Sequence, residues 1–123
     1  LGELETERVM IGAMSMLGTH YKFGSKSSTA VDCSSLMQLI YHGVGLDLPR
    51  TTREQIRLGE PVHMSELRKG DLLFYRWRAR GLHVAIYMDN GYILHASPSK
   101  GKVVMTQLNP SWRRRLVAAR RVL

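Results

Sequence analysis

The single cysteine of the chain lies in the stretch Val31-Asp32-Cys33-Ser34-Ser35-Leu36, where a loop composition gives way to a helical one. Residues 24–29, which precede it, are mostly Gly, Ser and Thr. After it, apolar residues recur with helical spacing as far as Ile40. The pattern therefore predicts that Cys33 lies in the first turn of a helix.

This position favours a reactive thiol. Unpaired backbone N–H groups at a helix start carry a partial positive charge, so we expect the pKa of Cys33 to be lowered and its thiolate to act as a nucleophile. The alternative is a small, packed and unreactive side chain, which is the common role of a lone cysteine.

Length and composition predict one globular domain over residues 1–123. The 123 residues are 44% hydrophobic and 23% charged, and no linker or repeat divides them. The most apolar early run, residues 9–17, is too short to span a bilayer, so we expect no transmembrane segment. Because the chain starts with Leu1 rather than Met, we expect a leader to have preceded it.

The chain is strongly basic, with 18 Lys and Arg against 10 Asp and Glu and a net charge of +8. The arginines concentrate in two runs: Arg76, Arg78 and Arg80, then Arg113, Arg114, Arg115, Arg120 and Arg121. Nucleic acid, an anionic cell-wall polymer or an acidic lipid surface would suit this charge, as would a solvated face that aids solubility. No nucleic-acid motif accompanies the arginines, so we expect no specific nucleic-acid partner.

Helices are predicted first and strands second. A first helix over residues 5–17 would pack its apolar stripe on the core, a second would run from Cys33 to Gly43 or Gly45, and a third, short helix would follow the capping box of Thr51 and Glu54. The stripe of the first helix comprises Val9, Ile11, Met14 and Leu17. Strands are predicted over residues 71–76, 82–88, 92–96, 102–106 and 116–122. This order indicates an α+β fold with N-terminal helices packed on a C-terminal antiparallel sheet.

Five histidines compete for the role of general base: His20, His42, His63, His83 and His95. His42 lies more than two helical turns beyond Cys33 and cannot reach the sulfur. His20 is an alternative on the segment that leads to the cysteine. His83 and His95 fall on adjacent predicted strands, which hold side chains at fixed distances.

The hairpin between these strands decides whether the two histidines share a face. A two-residue turn at Asn90-Gly91 would separate them, whereas a three-residue loop of 89–91, with Gly91 left-handed, would place Ala85 opposite His95 and His83 diagonal to it. We predict the three-residue loop. His83 would then act as base and His95 would orient it.

Two other uses of these residues stay open. Either histidine alone could be a hydrogen-bonded structural residue, and one cysteine with two histidines could bind zinc. The spacings typical of zinc sites are absent, so we expect neither a metal nor a cofactor.

Several motifs recur in a familiar order along nearly the whole chain. They are Tyr21-Lys22-Phe23-Gly24-Ser25, Asp32-Cys33-Ser34-Ser35-Leu36, Leu48 to Gln55, Lys69-Gly70-Asp71-Leu72-Leu73-Phe74, His83-Val84-Ala85-Ile86-Tyr87 and His95-Ala96-Ser97. In this order they resemble the NlpC/P60 family of papain-like cysteine peptidases, which are bacterial cell-wall hydrolases. The sequence departs from the family pattern at Phe23, Ser25, Ser35 and Leu82.

The resemblance implies roles for the motif residues. Cys33 would be the nucleophile, His83 the base and later acid, His95 the orienting residue, and Tyr21 a hydroxyl near the oxyanion. The implied substrate is an amide in the peptidoglycan stem peptide, usually between γ-linked D-glutamate and the diamino acid. Asp32 and Ser34 would line the pocket that reads the free amino end of the substrate, because an amine needs a carboxylate partner.

The resemblance also implies a protein of the bacterial periplasm or cell envelope, or a secreted one, and we expect a monomer. Two alternatives remain. The same fold could act on another amide or ester, as an amidase or acyltransferase, or the chain could be a catalytically silent wall-binding module. An enzyme predicts fast alkylation of Cys33 with a pKa below the ordinary value of about 8.5, whereas a silent module predicts slow alkylation.

Overall fold

A computed structural model of the protein describes residues 2–27, 29–77 and 81–123; Ser28 of the serine-rich loop and Arg78 and Arg80 of the first basic run lie outside them. The helices of the described residues are α1 (Glu3–Ser15), α2 (Cys33–His42), α3 (Thr52–Gln55) and α4 (Pro110–Arg115), with a 3₁₀ turn at Met64–Glu66. The strands are β1 (His20–Tyr21), β2 (Ala30–Val31), β3 (Glu60–Pro61), β4 (Leu72–Trp77), β5 (Gly81–Asp89), β6 (Tyr92–Ser97), β7 (Lys102–Gln107) and β8 (Leu116–Arg121).

One sheet contains all the strands of the described residues, in the order β2-β1-β7-β6-β5-β4-β8-β3. Neighbouring strands run antiparallel except β1 and β2, which are parallel. The five predicted strands correspond to β4 to β8, and the two-residue strands β1, β2 and β3 extend the sheet at its edges. The α+β fold with an antiparallel sheet is confirmed.

Alternate side chains of the central strands enter two different clusters. Val84 and Ile86 of β5 belong to the larger cluster, which also holds buried residues of α1 and α2. Ala85 belongs to a smaller cluster with Tyr75 of β4, and residues of α4 pack there. Both faces of the sheet are therefore covered, and the odd-numbered face of β5, which carries His83, is the one that α4 covers.

The predicted apolar stripe of α1 is wrong at three of its four positions. Val9 is buried, but Ile11, Met14 and Leu17 are exposed, and Ala13 is the second buried residue of the helix. Residues 9 and 11 are about 200° apart around a helix, so they cannot share one face, whereas residues 9 and 13 do. The helical period therefore buries a small alanine and leaves larger apolar side chains in solvent.

The hairpin turn also differs from its prediction. Asn90 and Gly91 both have positive φ, at 52° and 79°, and Asp89 pairs with Tyr92, so the loop has two residues in the manner of a type I′ turn. The predicted three-residue loop is therefore wrong. A bulge between Tyr87 and Asp89 nevertheless shifts the register, and continuing the pair Ile86–Leu94 by one residue places Ala85 opposite His95. This register agrees with the contact between the His83 and His95 side chains, which share a face as predicted but for a different reason.

No helix among residues 2–27, 29–77 and 81–123 has both the length and the apolar character that crossing a bilayer requires.

Candidate active site

The start of α2 is fixed by a reciprocal pair of hydrogen bonds around Cys33. The Asp32 carboxylate accepts the Ser35 backbone N–H at 2.9 Å, and the Asp32 N–H donates to the Ser35 hydroxyl at 3.0 Å. The Ser35 hydroxyl in turn donates to the Ser25 carbonyl at 2.6 Å, which ties the helix to the preceding loop. Cys33 is the first residue of α2, as predicted.

Asp32 is paired with an arginine that sequence reasoning left without a role. Arg50 donates to both carboxylate oxygens, at 3.1 Å and 2.8 Å, and its Nη1 also donates to the Ser34 hydroxyl at 2.8 Å. The Gly24 N–H adds a further bond to the carboxylate at 3.1 Å. Burial acts to raise the pKa of Asp32, but the hydrogen bonds from Arg50 and Ser35 outweigh it and hold that pKa below its usual value.

A cavity of about 800 Å³ brings five of the predicted site residues together. They are Tyr21, Asp32, Cys33, Ser34 and His83. The backbone N–H of Val84, the residue after His83, lies close enough to the sulfur of Cys33 to act on its pKa. The first turn of α2 and the start of β5 thus meet at one wall of the cavity.

The expected lowering of the cysteine pKa is not found. Burial is the largest influence and raises the pKa of the Cys33 thiol, and the negative charge of Asp32 acts in the same direction. Backbone N–H groups, including that of Val84, act the other way but are outweighed. The helix start is present, but desolvation of the sulfur decides the sign.

His83 and His95 form a buried hydrogen-bonded pair. His83 Nε2 lies 2.9 Å from His95 Nδ1, and the side chains share one face as predicted. His95 Nε2 lies 3.0 Å from the Thr106 hydroxyl, and the indole of Trp112 contacts the His95 ring edge-on, with 4.9 Å between centroids. Burial lowers the pKa of His83 to about 3, with a smaller contribution from His95, and lowers the pKa of His95 to about 4.

These shifts describe the resting site. A raised thiol pKa and lowered imidazole pKa values keep both Cys33 and His83 neutral at pH 7. Such a site can move a proton from sulfur to imidazole as the sulfur attacks, rather than store a thiolate beforehand.

The other three histidines do not share this environment. His20, His42 and His63 are exposed, and none is among the described residues that line the cavity. His42 pairs instead with Asp47 at 2.9 Å. Among residues 2–27, 29–77 and 81–123, no group of three His, Cys, Asp or Glu side chains is placed to hold a metal ion.

Sequence reasoning missed Arg50, Thr106 and Trp112. A signal existed for Trp112, since Asn109-Pro110 is a typical helix start and Asn109 caps α4 by accepting the Trp112 N–H at 3.1 Å. Arg50 lies within the motif Leu48 to Gln55. For Thr106, a register across β6 and β7 was needed.

The chain is similar to known proteins in sequence and in fold. A model of the NlpC/P60 family matches residues 18–121. The murein DD-endopeptidase/murein LD-carboxypeptidase MepS of Escherichia coli K12 is 38% identical over 117 residues, which are 94% of this chain and 62% of that protein. The chain thus spans less than two thirds of this relative's length.

Two solved structures share the fold. An NlpC/P60 family protein from Bacillus cereus superimposes with a TM-score of 0.88 at 30% identity, over 96% of this chain and 40% of that one. RipD from Mycobacterium tuberculosis, described as a non-catalytic NlpC/P60 domain protein adapted to peptidoglycan binding, gives 0.83 at 25% identity, over 97% and 98%. From its motifs, its geometry and these matches, the chain belongs to the NlpC/P60 family and has the papain-like fold of that family.

Proposed function

We propose that this chain is the catalytic domain of a peptidoglycan endopeptidase, which hydrolyses the amide between γ-linked D-glutamate and the diamino acid, such as meso-diaminopimelate, of stem peptides. One observation carries the proposal: Cys33 begins α2 in a cavity that His83 also lines, while His95 is bonded to His83 at 2.9 Å. The names of relatives such as MepS support a murein substrate.

In the proposed mechanism, Cys33 attacks the carbonyl carbon of the amide. The thiol proton passes to His83 as the carbon–sulfur bond forms, and the carbonyl oxygen becomes an oxyanion held by the Cys33 backbone N–H and the Tyr21 hydroxyl. His83 then donates its proton to the leaving amine nitrogen as the C–N bond breaks. Water, deprotonated by His83, hydrolyses the thioester and regenerates the thiol.

The proposed substrate-binding role of Asp32 and Ser34 has a competitor. A free amino group of the substrate would approach a carboxylate that already receives a bidentate Arg50. Arg50 offsets the charge of Asp32. The amine would therefore bind to the Asp32 carboxylate while Arg50 remains paired with it, and to the Ser34 hydroxyl. Such binding would be weaker than binding to an unpaired carboxylate.

The proposal is tested by mass spectrometry of purified stem peptides incubated with the protein, beside a Cys33→Ala control. Loss of tripeptide and tetrapeptide with release of the diamino-acid fragment, absent in the control, is the expected result. Intact stem peptides, together with cleavage of another amide or ester, would reassign the same site to an amidase or acyltransferase.

The second candidate is a catalytically silent wall-binding module. The observation that favours it is the similarity to RipD, which is described as non-catalytic. This candidate predicts wall binding without any Cys33-dependent product. Fast alkylation at neutral pH no longer separates the two candidates, because burial raises the pKa of Cys33 in either case. Product formation separates them.

We also propose an anionic wall polymer as a partner, in the bacterial cell envelope or periplasm or outside the cell. A groove of about 990 Å³ shares Thr52 and Leu82 with the cavity. None of its described lining residues is acidic, and four of them are arginines: Arg53, Arg76, Arg114 and Arg115. Their charge would hold phosphate or carboxylate groups beside the cleft.

Binding of the Cys33→Ala protein to purified walls tests this partner. Replacing Arg76 and Arg114 by Gln should weaken binding and flatten its salt dependence, whereas replacing the exposed Arg8 and Lys102 elsewhere should have less effect. If salt does not change wall binding, electrostatic attraction does not hold the protein on the wall.

A further inference from the structure

The ring nitrogen of His95 that faces away from His83 is bonded to Thr106. His95 pairs with Val104 across β6 and β7, so Thr106, two residues further on, lies diagonal to His95 on the same face of the sheet. Its hydroxyl is 3.0 Å from His95 Nε2. His83, His95 and Thr106 therefore form a continuous chain of hydrogen bonds.

The protons in this chain can be assigned from the chemistry that Cys33 requires. To take a thiol proton on Nδ1, His83 must carry its own proton on Nε2, where it donates to His95 Nδ1. His95 Nδ1 must then be an acceptor, so the proton of His95 sits on Nε2. That N–H points at the Thr106 hydroxyl, which can accept it.

The opposite tautomer does not support base catalysis. With its proton on Nδ1, His95 would donate to His83 Nε2, and His83 would present an N–H rather than a lone pair at Nδ1. Once His83 is doubly protonated, this arrangement would also set two N–H groups against each other. The Thr106 hydroxyl can accept from His95 Nε2–H in the one tautomer in which the pair can hold the extra proton.

Both rings are shielded from water, so solvent does little to stabilise that proton. His83 is 5% and His95 2% exposed. Among the described residues, the titratable groups on this side include Cys33 of α2, which lines the same cavity as His83, and Tyr75, which pairs with His83 across β4 and β5. Trp112 covers His95 with an uncharged ring. The charged residues of α3 and α4 are all exposed: Arg53, Glu54, Arg113, Arg114 and Arg115. A hydrogen-bond acceptor for His95 Nε2 therefore matters, because the two rings themselves are shielded from water.

We propose that Thr106 is a positioning residue that holds His95 in its Nε2–H tautomer, so that His83 can accept the proton of Cys33. Thr106 itself exchanges no proton and touches no substrate. The inference rests on the proposed roles of Cys33 and His83, but it does not depend on which bond is cleaved.

The test compares Thr106→Val, which keeps the shape and removes the hydroxyl, with Thr106→Ser, which keeps the hydroxyl. Valine suits a β-strand, and urea unfolding of both variants checks that they fold. Iodoacetamide alkylation of Cys33 between pH 5 and 10 reads the proton transfer without any peptidoglycan substrate. Stem-peptide hydrolysis then gives kcat and KM.

For Thr106→Val we expect kcat to fall about 5- to 30-fold with KM nearly unchanged, as for loss of one hydrogen bond that stabilises a charged state. Alkylation should slow at neutral pH and converge with the wild type at high pH, where hydroxide removes the thiol proton. Thr106→Ser should restore both rates to within about threefold of the wild type. A purely structural role would not produce this convergence.

A ¹⁵N spectrum of the wild-type imidazoles supplies a measurement that needs no variant. His95 protonated on Nε2 at neutral pH is expected, and protonation on Nδ1 would overturn the assignment. The assignment would also be overturned if Cys33 of Thr106→Val were alkylated at the wild-type rate, or if Thr106→Ser were as slow as Thr106→Val. Failure to cleave stem peptides would reject the proposed function, while the alkylation comparison would still test Thr106.

Discussion

At the scale of single residues, Asp32 connects the start of α2 with a distant loop. Its carboxylate receives backbone N–H groups from Gly24 and Ser35 and both terminal nitrogens of Arg50. An N-cap needs one oxygen for one N–H group. The remaining acceptor capacity holds Arg50 against the cavity, so the residue before the nucleophile both begins the helix and fixes a positive charge beside it.

We predict that Arg50→Gln lowers the free energy of unfolding by about 1–2 kcal/mol at pH 7, because it removes charge-assisted bonds to a buried carboxylate; the exposure of Arg50 keeps the value small. The folded pKa of Asp32 lies below its unfolded value of 3.8, so this stabilisation is present above pH 3.8 and is lost as the pH falls through the folded pKa. Urea unfolding between pH 3 and 7 measures it.

The exposed neighbour Arg53 supplies the matched control for this prediction. Arg53→Gln should change the free energy of unfolding by no more than about 0.5 kcal/mol at any pH in that range. Equal losses in the two variants would mean that general charge, rather than the bidentate pair with Asp32, accounts for the effect.

At the scale of elements, α1 shows that an apolar residue in a helix is not necessarily buried. Val9 is fully buried and Ile11 is 68% exposed, although both are β-branched residues of one helix. We predict that Val9→Ala lowers the free energy of unfolding by about 1.5–3 kcal/mol, through lost burial and a residual cavity. Ile11→Ala should change it by less than about 0.5 kcal/mol. Urea denaturation of the pair measures both, and a large loss at Ile11 would show that its face is covered in solution.

The β5–β6 hairpin gives a second prediction at this scale. Asn90 has a φ of 52°, in the region that glycine and asparagine tolerate and β-branched residues avoid. Asn90→Gly should therefore leave stability within about 0.5 kcal/mol, whereas Asn90→Val should lower it by about 1–2 kcal/mol. If thermal unfolding shows Asn90→Val to be harmless, the turn does not have this conformation in solution.

What the sequence could predict depended on how local the cause is. The helix start at Cys33 follows from adjacent residues, and the pairing of His83 with His95 follows from a hairpin whose two histidines are only twelve positions apart. The predicted turn was wrong, but the two histidines still share a face as predicted, because a bulge supplies the extra residue that a longer loop would have supplied. Burial of the sulfur, which reversed the expected pKa, depends on elements that meet only after folding.

The same limit explains the residues that sequence reasoning missed. Arg50 lies eighteen residues beyond Asp32, in a loop whose composition does not indicate its direction. Thr106 reaches His95 only because β7 pairs with β6 in one register. An arginine or a threonine has many roles in a sequence, and only tertiary contacts select one.

At the scale of the whole molecule, the covered sheet determines how the protein responds to acid. Helices α1 and α2 lie on one face and α4 on the other, so the two histidines sit between layers and are almost inaccessible to water. Burial of neutral imidazoles carries little penalty, but their protonation inside the fold is strongly unfavourable. The unfolded chain has no such restriction.

We therefore predict that stability falls with acidification well above the pKa values of carboxylates. The folded pKa values are about 3 for His83 and about 4 for His95, below the unfolded value of 6.5. Between pH 6.5 and pH 4 the unfolded state binds more protons than the native state, so the stability is complete above pH 6.5 and declines below it. The decline from pH 7.5 to pH 5 should reach about 2 kcal/mol for each histidine.

Urea unfolding at pH 7.5, 6.5, 5.5 and 5.0 measures this slope, and two variants apportion it. His95→Gln, compared with itself across pH, should lose about half of the slope even though its stability at pH 7.5 is lower. His42→Gln, which changes an exposed histidine, should keep the wild-type slope. An unchanged slope in His95→Gln would mean that the buried pair is not the acid-sensitive element, whereas a halved slope would tie acid unfolding to the same two rings that the proposed mechanism uses.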